Sequence, residues 1–172
     1  FCAELFSHNA LGKPVLGSKD TVCAFTSDDL RTYHRANYTT GNVVVVACGN
    51  VEHARVVELA ARNLSTLPLG VRRERPAFCA AAESGLAALK RAGEQAHLVI
   101  GCPSVSADDP ERFACQIVDS ALGGSMSSRL FDEIRERRGL VYSVYTMSQL
   151  YSGVGQFELY AATRPENIAE VS

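Results

Sequence analysis

The sequence predicts an α+β fold: a mixed, mostly antiparallel sheet with helices packed on one face. Three observations carry that expectation. Helical and strand periodicities alternate irregularly along the chain, strand-like runs come partly in adjacent pairs and partly after helices, and Gly or Pro punctuation separates them without a fixed repeat. With 172 residues, 47% hydrophobic and 21% charged, the chain has the composition of a folded protein with ample core rather than a disordered or fibrous one.

Residues 1–6 read as the tail of a helix, and 7–18, with Gly12, Pro14 and Gly17 among few periodic apolar residues, as a loop. Thr26-Ser27-Asp28-Asp29 has the form of a capping box, and Leu30, Tyr33, His34 and Asn37 come after it at helical spacing until Thr39-Thr40-Gly41-Asn42 breaks the pattern. Val43 to Cys48 is a continuous β-branched run, expected as a centrally packed strand. A second helix over 52–64 carries its apolar stripe on Val56, Val57, Ala60, Ala61 and Leu64. The aperiodic TLPLGVRRERP comes next, which places a linker at 71–76 between segments 1–70 and 77–172. Beyond it, Leu86–Arg91 and His97–Cys102 are expected as the two strands of a hairpin. Ser106, Asp108, Asp109 and Pro110 open a helix whose expected buried face is Phe113, Ile117, Val118 and Leu122, and Gly123-Gly124 stops it. Gly155–Ala162 is expected as a strand and Thr163-Arg164-Pro165-Glu166 as a helix start.

The most informative stretch is Ser125–Tyr145. Leu130, Phe131 and Ile134 give a short amphipathic helix one apolar stripe, Ser127 or Ser128 is placed to cap it, and Gly139 supplies the left-handed residue that ends it. Leu140 to Tyr145 then alternates as a strand. Taken singly, the arginines read as a solvated helix end, with Glu133 paired to Arg137 and Asp132 to Arg135, each pair worth about 0.2–0.5 kcal/mol.

Composition excludes several classes. Seventeen basic against nineteen acidic side chains give a net charge of −2, so no basic field is offered to nucleic acid; the lone positive cluster is Arg72-Arg73-Glu74-Arg75. The longest apolar run, Val43–Cys48, is far short of the roughly 20 residues of a membrane helix. Six cysteines without a C-x-x-C pair read as buried reduced thiols of a cytoplasmic protein. Both ends look cut, as in a piece of a longer polypeptide. The histidines His8, His34, His53 and His97 are dispersed, neither H-E-x-x-H nor H-x-x-E-H occurs, and there is no G-x-S-x-G elbow. Gly123-Gly124-Ser125 lacks the Lys and spacing of a phosphate loop.

As a whole string, SSRLFDEIRERRGLVYSVY resembles a signature in the second domain of the insulinase, pitrilysin and mitochondrial processing peptidase family of zinc peptidases. The segment HNALGKPVLGSKDTVCAFTSDDLRTYHRANYTTGNVVVVACGNVEHARVVELA is similar to the region downstream of the zinc site in that family, and EQAHLVIGCP to the entry strand of its second domain. The resemblance implies a clamshell of two similar α+β domains: 1–70 would end the first, 71–76 link, and 77–172 begin the second, inactive one. It implies zinc in the parent protein and none bound by this segment, with the metal held by a zinc-binding domain upstream of residue 1. It also implies that Arg135 and Tyr142, seven residues apart, reach the active site and support hydrolysis of a peptide substrate. The segment alone would be inactive, and a homodimer or a heterodimer with a family partner is an expected assembly. Two other readings stand beside this one: a non-catalytic partner or core subunit of the same family, and an unrelated α+β interaction domain.

Overall fold

A computed structural model describes residues 1–7, 9–74 and 85–172. His8, Arg75, Cys79, the end of the expected linker and the Ala80–Ala82 run lie outside the described residues. The chain divides into two compact units, Leu16–Pro76 and Phe1–Val15 with Ala77–Ser172.

In the first unit, α2 (Lys19–Ala24) starts at a capping box closed by Ser18 and Thr21, a short helix directly after the stretch expected as loop. The Thr26–Asp29 box opens α3 (Ser27–Asn37) as the sequence indicates, with the Asp29 carboxylate accepting from the Thr26 backbone N–H at 2.9 Å and its hydroxyl at 2.6 Å. Helix α4 spans His53–Asn63. Residues 68–73 run against the 39–42 turn: the Thr40 N–H donates to the Pro68 carbonyl and the Arg73 N–H to Asn42 Oδ1. Gly41 is needed there, because a Cβ would fall 2.4 Å from the Gly70 carbonyl oxygen.

The expected strand at Val43–Cys48 is not formed, and neither is the Leu86–Arg91 arm of the hairpin. A β-branched run records a preference for a pleated, covered environment, but a strand is held by hydrogen bonds from a neighbour, and neither run has one among the described residues.

The second unit is built on a three-stranded antiparallel sheet ordered β1 (Ala96–Ser104), β3 (Val154–Thr163), β2 (Val141–Tyr151). The α+β class and the antiparallel sheet thus stand as the sequence indicates. Strands β2 and β3 form a hairpin through Ser152-Gly153, where Gly153 takes φ +89°. Leu98, Ala161 and Val144 lie in one row on one face; Val99, Tyr160 and Tyr145 lie in the next row on the other. The first face is the core. Val141, Val144 and Ala161 are buried there under Leu130, Phe131, Ile134 and Leu140 of the helical segment and Val171 of α6 (Ile168–Val171).

Helix α5 (Arg112–Leu122) lies against β2 on this face, held where the Thr146 hydroxyl donates to the Asp119 carbonyl at 3.0 Å. Gly123 makes that approach possible, since a Cβ would meet the Thr146 nitrogen at 2.5 Å. Of the stripe expected to be buried, Leu122 is partly covered, but Phe113, Ile117 and Val118 are exposed, and Cys115 and Asp119 share the partly covered side with Leu122. On the opposite face the Phe1 ring, at the start of α1 (Cys2–Leu5), packs over Gly101 near the middle of β1. The thiols differ from expectation too, as Cys23, Cys48 and Cys102 are free but exposed.

Candidate functional site

The helix carrying Arg135 is wound as a π-helix over Phe131–Arg137, not as the expected α-helix. The wider turn changes its pairing. Arg137 reaches both Asp132, five residues back, at 2.9 Å and Glu133 at 3.5 Å, so the expected Asp132–Arg135 pair is replaced. Arg135 is left without a carboxylate among the described residues; its guanidinium lies 4.6 Å from the Phe131 ring centroid and is exposed to solvent. The expected serine cap is also absent: Ser128 is buried and its hydroxyl has no hydrogen-bond partner in the described residues. Gly139 ends the helix at φ +62°, as the sequence indicates, and Arg138 bridges to Glu170 of α6 at 2.5 Å, which fixes the helix end to the rest of the unit.

Tyr142 comes from an irregularity in the next strand. Val141 pairs with Thr163 and Ser143 with Ala162, so Tyr142 is the extra residue of a β-bulge between two register-bound neighbours. A bulge re-aims the side chain it carries. The phenol is 49% exposed, and its oxygen accepts a hydrogen bond from Arg164 Nε at 3.0 Å. That contact first, and the Glu166 carboxylate after it, hold the Arg164 guanidinium above its usual range. Thr163, paired with Val141 before Tyr142 and preceding Arg164 in the chain, is fully buried and its hydroxyl donates to the Leu140 carbonyl. On the sheet face opposite the core, His97 Nδ1 and Tyr160 Oη are 2.8 Å apart, and the Tyr145 ring stacks on Tyr160 at 4.9 Å.

Of the two site residues named from the sequence, both are therefore open to solvent, and no hydrogen bond joins them to each other. The structure adds Arg164 to Tyr142. In the sequence Arg164 stands only as part of a helix start, although strand alternation past Thr163 puts residue 164 on the face opposite the core.

No group of three or more His, Cys, Asp or Glu side chains among the described residues is placed to hold a metal ion. Of the other described histidines, His34 stacks on Tyr38, and His53 lines a groove of about 400 Å³ with Val45, Val46, Val51, Val56 and Val57. No helix among the described residues is long and apolar enough to cross a membrane.

The family model described as the peptidase M16 inactive domain matches residues 24–172. The chain belongs to the M16 peptidase family. Its M16 relatives include an uncharacterized zinc protease of Streptomyces coelicolor, 41% identical over 180 residues that cover 99% of this chain and 39% of the relative. Another from Bacillus subtilis is 31% identical over 169 residues, covering 97% and 40%. The chain thus spans about two fifths of the length of these curated M16 relatives. Among solved structures, the peptidase M16 inactive domain from Pseudomonas fluorescens superposes with a TM-score of 0.88 at 25% identity, over 96% of this chain and 40% of that one. A chain of Complex III from Candida albicans shares the fold, with a TM-score of 0.80 at 19% identity over 95% and 41%. Peptidase-family membership and inactive-domain character are therefore properties of this M16 chain.

Proposed function

We propose that this chain is the supporting half of a zinc-dependent peptidase, supplying chamber wall and two donors, Arg135 and Tyr142, for a peptide substrate. The single observation that carries the reading is that a π-wound helix and a β-bulge, on either side of Gly139, each turn one family-signature side chain out to solvent from a buried platform. Hydrolysis of a peptide builds negative charge on the scissile carbonyl oxygen, and preorganised donors aimed at it lower the barrier. Arg135 brings a permanent charge not spent on a carboxylate; Tyr142 brings an O–H whose oxygen already accepts from Arg164. The described residues do not form a zinc site, so in this reading the metal that would activate water is held by other parts of the parent protein. Residues 1–70 close the first peptidase-like domain, 71–76 link, and 77–172 open the second. The compact unit Leu16–Pro76 ends where that linker ends, whereas Phe1–Val15 groups with Ala77–Ser172 and not with the rest of 1–70. The free thiols favour a cytoplasmic parent.

In the full-length protein, Arg135→Ala or Tyr142→Phe is expected to lower kcat by about a hundredfold, with the melting temperature unchanged. Unchanged turnover at unchanged stability would refute the assignment. A non-catalytic partner subunit, the second reading, needs neither donor held open. It gains ground if the region upstream of residue 1 lacks H-x-x-E-H.

A further inference from the structure

We propose that Arg164 is a positioning residue for Tyr142, an inference that rests on Tyr142 acting as a donor to the substrate oxyanion. A phenol oxygen both accepts and donates. In this structure the accepting side is taken by Arg164 Nε–H at 3.0 Å, so the hydroxyl proton is left to point away from the guanidinium, and the phenol that carries it is 49% exposed. A cation on the acceptor side also polarises the O–H and makes it a stronger donor.

The two side chains have little freedom to drift apart at their bases. Tyr142 leaves the bulge between Val141 and Ser143, both in register, and Val141 is buried and paired with Thr163. Arg164 comes directly after the fully buried Thr163 and precedes Pro165, which restricts its backbone to the extended φ −71°, ψ 146° that it adopts. Among the described residues Arg164 makes no salt bridge to a carboxylate, and its Nε–H donates to the phenol oxygen. Nothing in the peptidase signature from Arg135 to Tyr142 contains this residue; it reaches the site only because β2 and β3 are neighbours.

The test is a double-mutant cycle in the full-length protein with a peptide substrate. Arg164→Gln is expected to lower kcat about tenfold with KM unchanged, and to change it by less than about twofold when Tyr142→Phe is already present. Arg164→Lys, which keeps a charge and a donor, is expected to recover part of the loss. With 13C-labelled tyrosine, the ring ζ-carbon resonance assigned through Tyr142→Phe is expected to move in Arg164→Gln, independently of turnover. If Tyr142→Phe lowers kcat while Arg164→Gln is silent, or acts equally in both backgrounds, the positioning role is overturned and the Tyr142 reading survives. If Tyr142→Phe leaves turnover unchanged, the reading beneath it fails and takes the positioning role with it.

Discussion

At the scale of single residues, the chain separates side chains that are spent from side chains that are held ready. Arg137 and Arg138 are spent on Asp132, Glu133 and Glu170, whereas Arg135 stacks on Phe131 and keeps its donors. Exposed pairs of this kind contribute little, so their use is geometric rather than energetic. Asp29 is spent as well: hydrogen bonds from the Thr26 side chain first, and then its backbone, lower the carboxyl below its ordinary value. The folded state therefore favours the ionised form, and the gain is complete above the unfolded carboxyl's 3.8 and is lost as pH falls through the lower folded value. Asp29→Asn should flatten the acid limb of a melting-temperature profile recorded from about pH 5 down to about pH 2. Thr26→Ala should cost about 1 kcal/mol at neutral pH, read from a denaturant midpoint.

At the scale of elements, the junction from helix to strand is where local pattern and tertiary packing diverge. Apolar residues at 130, 131 and 134 are enough to recognise a helix and Gly139 enough to end it, since both signals are local. The π-winding and the bulge at Tyr142 are not legible in the sequence. Each inserts one residue into a regular element, and which residue is extra depends on what the neighbouring strand fixes. Here Thr163 fixes it, through its pairing with Val141 and its bond to the Leu140 carbonyl. Thr163→Val, close in volume but without the donor, should leave that carbonyl short of a partner and cost about 1–3 kcal/mol in chemical denaturation. Gly139→Ala should cost roughly 1 kcal/mol more than the same change at an exposed glycine elsewhere, because φ +62° is strained for any side chain.

At the scale of the whole molecule, apolar surface is left uncovered in both compact units. Val44 and Val46 are 86% and 82% exposed, and Phe113, Ile117 and Val118 form an open stripe on α5. Patches of this kind drive association in an isolated domain. The 172-residue chain on its own should therefore self-associate in sedimentation, and Val44→Thr with Val46→Thr should reduce the association while moving the unfolding free energy by no more than about 0.5 kcal/mol. Val144→Ala, by contrast, empties a position that is 4% exposed between the sheet and the π-helix and should cost about 2 kcal/mol.

By itself the sequence determined the α+β class, the positions of α3, α4, α5 and the helix at 131–137, and the strands at 97–102 and 155–162; Arg135 and Tyr142 it named only through the signature, and their role belongs to the proposal. All of these rest on periodicity, caps and a contiguous signature, which are local in the chain. Tertiary structure decided which β-prone runs became strands, which face of α5 turned inward, and that Arg164 stands against Tyr142. Each of these depends on a partner distant in sequence: a strand needs a neighbour's hydrogen bonds, an apolar stripe needs a surface to cover it, and a phenol needs a donor brought to it by the register of two antiparallel strands.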